Sequence, residues 1–241
     1  GTEEILGGSV FSRPLGKVFY CIGKTADFAI APLSTLDAHA GLLARLVLQA
    51  DYERLVYLSS TRLYDGLAGI VTEDTPLQLN PADPRHLYDI TKALGEHFVL
   101  ARSSGRGRVA RLSSVYDLDP AAGGFLSDIL QKLLRAEALG IKAHPAGARD
   151  YVHIKDVLDA LVALMDREAA FPLLNVASGE NVSNAQLVAW LADAGRRLSL
   201  EAHEALPVPV SPVIDVMRLR QLGVQPGGLQ SFIAAHFARL D

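Results

Sequence analysis

The sequence predicts an α/β fold built around a mainly parallel sheet. Short runs rich in β-branched or aromatic residues alternate with longer segments of helical periodicity, which is the pattern of βαβ units. The clearest of these runs, at 54–60, is continuously apolar over 55–58, as strands buried on both faces are. With 241 residues, of which 49% are hydrophobic, the chain is long enough to bury a substantial core.

The first half of the chain predicts two strands and two helices. The run at 17–23 is a candidate strand that ends in glycine, and 54–60 is the next. Between them a helix is predicted with Ser34 as N-cap. Its apolar stripe consists of Leu33, Leu36, Ala40, Leu43 and Val47. After a stretch broken by glycine and proline, a helix begins near Tyr88, with an apolar stripe of Ile90, Leu94, Phe98 and Ala101.

The second half continues the alternation. The run at 108–116 predicts a third strand, followed by a helix that Gly140 closes. A strand at 150–154 leads into a helix whose inward positions are Val157, Leu158, Leu161 and Leu164. A further strand is predicted at 173–178. The next helix has Ser183 as N-cap and Gly195 just after its end, and a short helix spans 229–240.

Composition excludes several classes of protein. The net charge of -4 gives no basic surface for nucleic acid. Cys21 is the single cysteine, which rules out an internal disulfide and fits a reducing cytoplasm. No apolar run approaches the roughly 18 residues of a membrane span, and no secretory pattern is found. We therefore expect a cytoplasmic globular protein.

Two tyrosine–lysine pairs share a spacing of four residues, and their predicted local structure separates them. Tyr88 and Lys92 fall on a helix, where residues four apart have Cβ atoms about 5–6 Å from each other. Tyr151 falls on a strand with Lys155 at the turn after it, and four strand residues span about 13 Å. We interpret the second pair as structural and the first as able to act jointly.

Ser60, Tyr88 and Lys92 together have the groups that proton transfer requires. A free tyrosine has a pKa of about 10, too high for an efficient base near neutrality. An ammonium group one helical turn away is expected to lower the pKa of Tyr88. Ser60 ends a buried strand, where parallel α/β sheets bind ligands, so its hydroxyl could hold a substrate oxygen. A serine in such a place is more often a loop or capping residue, and both interpretations stay open.

Five segments together resemble the extended short-chain dehydrogenase/reductase family, the NAD-dependent epimerases and dehydratases of nucleotide sugars. "VFYCIG" resembles the family's fourth strand, and "YLSSTRLYDG" its Ser-Ser-x-x-x-Tyr-Gly segment. "YDITKALGE" resembles its Tyr-x-x-x-Lys segment, "RDYVHIKDV" its Arg-Asp-Phe/Tyr-x-His-Val-x-Asp motif, and "NVASGENVSNAQL" the stretch beyond. Their order and spacing hold across about residues 17–195. The resemblance implies a Rossmann-like, doubly wound sheet with a smaller, interleaved C-terminal substrate lobe.

The resemblance also implies a role for each matching residue. Tyr88 is expected to be the acid/base, Lys92 to bind the nicotinamide ribose, and Ser60 to hydrogen-bond the reacting sugar oxygen. Arg149 falls where many members place an arginine on the substrate diphosphate, and a surface ion pair with Asp150 is the alternative. No metal ligand is implied. The full cofactor-binding set is Cys21, Gly23, Tyr88, Lys92 and Ser113, and the substrate-binding set is Ser60, Thr61, Ser114 and Arg149.

Three departures from the family pattern bear on the reaction. The 4,6-dehydratases have Asp-Glu where this sequence has Thr61 and Arg62, which argues against dehydration. Ser114 and Asp117 stand where the family often has asparagine and glycine, which puts contact with the nucleotide sugar in question. The family's glycine-rich turn and first βαβ unit are not among these residues. We expect them to belong to a longer protein; true loss, which would leave a raw sheet edge, and completion by another chain are the alternatives.

The predicted function is an NAD(P)-dependent epimerase or reductase of a nucleotide-activated sugar. Two alternatives stay open: a non-redox family member that binds, scaffolds or catalyses without a cofactor, and a reductase of a small carbonyl compound. Residues 1–117 are predicted to form a partial dinucleotide-binding domain, and 118–241 mainly a substrate lobe interleaved around 150–178. The resemblance implies a homodimer, assembled through the helices at "LSTLDAHAGLLARL" and "YDITKALGEHFVL".

Overall fold

A computed structural model describes residues 3, 5, 7–25, 28–136, 138–166, 170–201 and 211–237. The chain forms two compact units and passes between them repeatedly. The first unit consists of Gly1–Leu63, Glu73–Leu112 and Ala160–Asn175. The second consists of Tyr64–Thr72, Ser113–Asp159 and Val176–Asp241. The α/β class and the mainly parallel strand pairing are as predicted.

A four-stranded sheet organises the first unit. Its strands, in spatial order, are β1 (Lys17–Tyr20), β2 (Arg54–Ser60), β4 (Gly107–Leu112) and β8 (Leu173–Val176). β1 pairs with β2 in parallel, with Phe19 opposite Val56, and β2 pairs with β4 in parallel, with Tyr57 opposite Val109. β2 is almost entirely buried, because neighbouring strands pair with both of its edges and apolar side chains cover it.

Helices pack on this sheet through a shared apolar core. They are α1 (Pro32–Leu36), a π-helical turn (Asp37–Gly41), α2 (Leu42–Gln49) and α3 (Leu87–Arg102), with short 3-10 turns at Ser9–Ser12, Thr61–Tyr64 and Pro84–His86. Leu43, Leu55, Tyr57, Val99 and Val109 are among the fully buried core residues. Gly95 allows α3 to approach closely: a Cβ there would lie 2.5 Å from the His39 carbonyl oxygen and 2.7 Å from the Tyr57 hydroxyl.

Among its described residues, the second unit contains three small sheets. β5 (Ser114–Tyr116) pairs in parallel with β7 (Ala148–His153), which pairs antiparallel with β9 (Asn181–Ser183). Two parallel pairs join β6 (Ala138–Lys142) to β10 (Arg197–Glu201) and β3 (Ile70–Val71) to β11 (Val213–Ile214). The helices are α4 (Phe125–Arg135), α5 (Ile154–Leu164, which continues into the first unit), α6 (Asn184–Asp193), α7 (Met217–Gln221) and α8 (Leu229–Phe237). Leu130, Leu133, Leu187, Leu191 and Ile233 lie at the centre of its core.

The residues predicted to begin and end the helices were partly correct. Ser183 caps α6 in a capping box with Gln186, and Gly195 follows that helix with a φ of 78°, so both predictions are confirmed. Ser34 is not an N-cap, because α1 already begins at Pro32. Gly140 does not close α4, which ends at Arg135; it lies in β6, where pairing with β10 overrides the helical propensity of the preceding sequence.

Two other predictions were wrong for reasons of packing. The run at 108–116 is not one strand: it divides after Leu112, so that β4 belongs to one sheet and β5 to another. The predicted apolar stripe of α3 is not its buried face, since Leu94 is exposed while Tyr88, Lys92 and Glu96 are buried. The same holds for Leu158 of α5, which is exposed. The predicted helix at 229–240 begins as expected, and its last residues lie outside the described ones.

Candidate active site

The structure brings Ser60, Tyr88 and Lys92 together in the first unit. Tyr88 and Lys92 are both buried on one face of α3, and Lys92 Nζ lies 6.0 Å from the centre of the Tyr88 ring. Ser60 is the last residue of β2, and its hydroxyl lies near enough to the Tyr88 phenol to act on the pKa of Tyr88. The three groups therefore meet at the carboxyl end of a buried parallel strand, where ligands of such sheets bind.

The Ser60 hydroxyl accepts one backbone hydrogen bond, which leaves its own proton for donation to another group. Its Oγ accepts the backbone N–H of Arg62 at 3.2 Å. A hydroxyl has one proton to donate, and the proton of Ser60 can therefore go to the Tyr88 oxygen. Such a bond favours the phenolate, which is the direction of its effect on the Tyr88 pKa.

Burial dominates the electrostatics of Tyr88. Loss of water raises the pKa of Tyr88 above its ordinary value of 10.0, while the neighbouring Ser60 hydroxyl and the charge of Arg62 oppose the increase. Arg62 is the cation that most clearly lowers the pKa of Tyr88, and the expected effect of Lys92 on this phenol stays a prediction. Lys92 Nζ donates to the Leu58 carbonyl oxygen at 2.8 Å.

Lys92 instead faces the carboxyl end of β1. A Cβ on Gly23 would lie 3.6 Å from Lys92 Nζ, so this glycine keeps space open in front of the ammonium group. Cys21 is exposed nearby; burial raises the pKa of its thiol and the charge of Lys92 opposes this. Burial lowers the pKa of Lys92 to about 8, and Glu96 and Cys21 counteract part of the decrease.

The Lys92 shift predicts an unusual pH dependence of stability. Because its pKa falls from 10.5 to about 8 on folding, the unfolded chain binds more protons between these values, and the cost of burying the charge is relieved as pH rises. From below pH 8 to pH 10.5, the unfolding free energy of the native protein should rise relative to Lys92→Met by about 3 kcal/mol. Denaturant titrations of both proteins measure this, and a difference that stays constant across the window contradicts it.

Sequence reasoning missed a buried histidine beside Tyr88. The His39 ring meets the Tyr88 ring edge-on, with centres 5.0 Å apart. Its Nδ1 lies 2.8 Å from Thr91 Oγ1, and its Nε2 accepts the Lys24 backbone N–H at 3.0 Å. Burial and the charge of Lys92 lower the pKa of His39 to about 4, so it is neutral near neutral pH. A polar residue within a segment of apolar helix positions was the signal that could have indicated it.

A buried ion pair joins α3 to β4. Arg111 of β4 binds Glu96 through two hydrogen bonds, Nε to Oε1 at 2.9 Å and Nη2 to Oε2 at 2.6 Å. Both side chains are 5% exposed. Glu96 lies one turn beyond Lys92, and its charge favours the protonated form of that lysine. The pair thus fixes the helix against the sheet and acts on the buried ammonium group.

Thr61 is the remaining predicted residue of the first unit, and its hydroxyl has a hydrogen-bond partner within the protein. Its hydroxyl donates to the Leu112 carbonyl oxygen at 3.3 Å. This bond ties the residue after β2 to the end of β4. A substrate contact at Thr61 therefore stays a prediction, and the hydroxyl has a structural role in any case.

Ser113, Ser114 and Arg149 belong to the second unit. Burial raises the pKa of Asp150, and the nearby Ser113 side chain is one of the groups that oppose this increase. Ser114 begins β5. Arg149 is exposed, with its guanidinium carbon 5.6 Å from the centre of the Phe125 ring. Asp150 is not its ion-pair partner in the described residues, because the carboxylate accepts the backbone N–H groups of Ser178 and Gly179 at 2.8 and 2.7 Å.

The second tyrosine–lysine pair is divided as predicted. Tyr151 is buried in β7, whereas Lys155 is exposed on α5 and binds Asp159. Across the part of the chain that the structure describes, no group of histidine, cysteine or acidic side chains could hold a metal ion. Within the same residues, none of the helices has the length and apolar character needed to cross a membrane.

The chain is similar to several known proteins. Among curated relatives, the dTDP-6-deoxy-L-talose 4-dehydrogenase (NAD(P)(+)) of Kitasatospora kifunensis is 33% identical over 161 residues, 63% of this chain and 49% of the relative. The dTDP-glucose 4,6-dehydratase of Streptomyces griseus is 27% identical over 143 residues, 58% of this chain and 42% of the relative. The chain thus spans about half the length of such relatives.

A solved structure and a family profile extend the match. MoeE5 in complex with UDP-glucose and NAD is 26% identical, and the superposition covers 92% of this chain and 77% of that one with a TM-score of 0.74. Residues 17–177, which include β1, Ser60, Tyr88 and Lys92, match the profile of one family over more than half of the chain. The chain belongs to the NAD dependent epimerase/dehydratase family.

Proposed function

We propose that the protein is an NAD(P)-dependent epimerase or reductase of a nucleotide-activated sugar, with Tyr88 as the group that exchanges a proton with the sugar hydroxyl. The observation that carries the proposal is the placement of Ser60, Tyr88 and Lys92 together at the carboxyl end of β2. A substrate hydroxyl that binds between these two oxygens would be oriented by Ser60 and would have its proton acceptor in contact.

The residues around Lys92 fit the ribose end of a nicotinamide cofactor. One of the three ammonium protons goes to Leu58 in the described residues, which leaves donors for a ligand hydroxyl. Gly23 leaves space in front of that group. When bound, the nicotinamide supplies hydride acceptance and return. MoeE5 is in complex with NAD in its solved structure, which supports NAD as the first cofactor to test.

Epimerisation or reduction is favoured over dehydration by the residues after Ser60. Elimination of water needs an acid and a base beside the sugar, which the family's dehydratases supply as Asp-Glu. Thr61 and Arg62 occupy those positions; the Thr61 hydroxyl is held by Leu112, and Arg62 has no proton to give up near neutral pH. Neither side chain suits the role of general acid.

We also propose that the second unit holds the nucleotide part of the substrate, with Arg149 as the contact to the diphosphate. The exposed guanidinium and its position beside Phe125 support this, because a planar cation binds phosphate bidentately. A homodimer is proposed from exposed leucines on the helices expected to form the bundle. They are Leu33 and Leu36 of α1, Leu48 of α2, and Leu94 and Leu100 of α3.

The test uses the natural full-length protein in two steps. Calorimetric titration with NAD(H) and with NADP(H) should show that the protein binds one of these two cofactors. Incubation with NAD and a panel of UDP-, dTDP- and GDP-sugars, followed by NMR of the product, should show inversion at one carbon without net cofactor consumption. Incubation of keto-sugar nucleotides with NADH or NADPH should instead show reduction of the ketone with consumption of the reduced cofactor. Absence of binding by either cofactor would instead favour a non-redox family member.

A further inference from the structure

Arg62 packs against two aromatic rings at the candidate active site. Its guanidinium carbon is 4.9 Å from the centre of the Tyr88 ring and also 4.9 Å from the centre of the Phe28 ring. The Phe28 and Tyr88 rings themselves meet edge-on with centres 5.6 Å apart. Three planar groups thus pack against one another, and one of them carries the phenol oxygen that contacts Ser60.

Two polar contacts hold the guanidinium in this place. Its Nε lies 3.2 Å from Asp89 Oδ1 in an ion pair, and its Nη2 donates to the Arg85 carbonyl oxygen at 3.1 Å. Asp89 is 8% exposed at its side chain and follows Tyr88 directly on α3. Arg62 is therefore fixed to the same helix turn whose tyrosine it covers.

A cation over an aromatic face acts more strongly on a phenolate than on a phenol, because the phenolate spreads its negative charge into the ring. Among the described residues, the other ionisable groups near Tyr88 include His39, Lys92, Asp89 and Tyr57, and burial raises the pKa of Tyr57 far above its ordinary value. His39 is neutral near neutral pH, since its pKa is about 4. Lys92 is farther away, with Nζ 6.0 Å from the ring centre, and its pKa of about 8 means that it loses its charge as the solution becomes alkaline. A guanidinium keeps its charge throughout.

We propose that Arg62 is the positioning residue of Tyr88: its guanidinium clamps the phenol ring against Phe28 and stabilises the phenolate, while Lys92 serves ligand binding. The division of labour differs from the one expected from sequence, in which Lys92 had both tasks. The inference rests on the proposed function only where it assigns the phenolate a role in proton transfer. The packing of Arg62 on Tyr88 is a property of the folded chain itself.

The test measures the ionisation of Tyr88 alone, without substrate or cofactor. A fluorinated tyrosine placed at position 88 titrates at lower pH than tyrosine, and its 19F resonance reports this site among the seven tyrosines of the chain. In Arg62→Met and Arg62→Gln the titration midpoint should rise by about 1 pH unit. This is the lower end of the pKa shifts that a neighbouring opposite charge causes, because Arg62 is 35% exposed and water screens its charge. Arg62→Lys, which keeps the charge without the planar stack, should recover part of the shift.

Arg85→Met is the matched control. It removes a neighbouring cation that is 82% exposed and paired with Asp83, while the backbone carbonyl that holds Arg62 remains. Its midpoint should equal that of the unsubstituted protein. Unchanged midpoints in both neutral Arg62 variants would overturn the proposal, and so would equal midpoints in Arg62→Lys and Arg62→Met.

The outcome is separable from that of the proposed function. A raised midpoint in a full-length protein without turnover would support the clamp and reject the enzyme activity. Turnover that needs Tyr88, together with a titration midpoint that does not change in the Arg62 variants, would support the enzyme activity and reject the clamp. If both hold, the alkaline pH profile of kcat/KM in Arg62→Met should move in the same direction as the 19F midpoint.

Discussion

Tyr88→Phe in the full-length protein is expected to lower kcat/KM by two to four orders of magnitude, the usual contribution of a positioned acid/base. Phenylalanine keeps the ring that packs against Phe28, His39 and Arg62, so the fold should be preserved. The loss removes the oxygen that contacts Ser60 and leaves the substrate proton without an acceptor. Steady-state rates with the sugar identified in the substrate panel measure the effect.

Tyr151→Phe provides the control for this result. It removes the phenol of the second tyrosine–lysine pair, which lies in β7 and is buried in the core of the second unit. Turnover should remain within a few-fold of the unsubstituted enzyme. NAD binding should also survive in Tyr88→Phe, since Lys92 and Gly23 are unaltered. Undiminished turnover in Tyr88→Phe would remove Tyr88 from the mechanism.

Glu96→Gln is expected to lower the free energy of unfolding by about 3–5 kcal/mol, because breaking one side of a buried ion pair leaves the other charge poorly compensated. Glu96 and Arg111 are each 5% exposed and joined at 2.6 Å. The variant also removes the charge that helps to keep Lys92 protonated, so the pKa of Lys92 should fall further below about 8. Urea denaturation followed by circular dichroism gives the first quantity.

An exposed ion pair of equal length is the reference. Lys155 and Asp159 are also 2.6 Å apart, but their side chains are 72% and 51% exposed. Asp159→Asn should therefore change stability by less than about 1 kcal/mol, the usual range for pairs in water. A similar cost in the two variants would show that burial does not set the strength of the Glu96–Arg111 interaction.

The faces of the helices depended on tertiary packing. In α3 the apolar positions Leu94 and Leu100 are exposed, whereas Tyr88, Lys92 and Glu96 point inward. Periodicity assigns the apolar stripe to the core, and it fails where the buried face carries the groups that a site requires. The break after Leu112 escaped notice for a similar reason: both halves of 108–116 are extended, and only the partner strands differ.

The sequence by itself determined the α/β class, the main strands, the family resemblance and the position of Ser60, Tyr88 and Lys92 at a strand end and on one helix turn. These follow from composition, periodicity and short spacings, which are local properties of the chain. Only the tertiary structure placed Arg62 against the Tyr88 ring. Arg62, His39 and Phe28 come from segments that are distant along the chain, and the distances between their side chains exist only after the sheet and α3 have packed. Charge interactions depend on those distances and on the exclusion of water, neither of which is written in the spacing of residues.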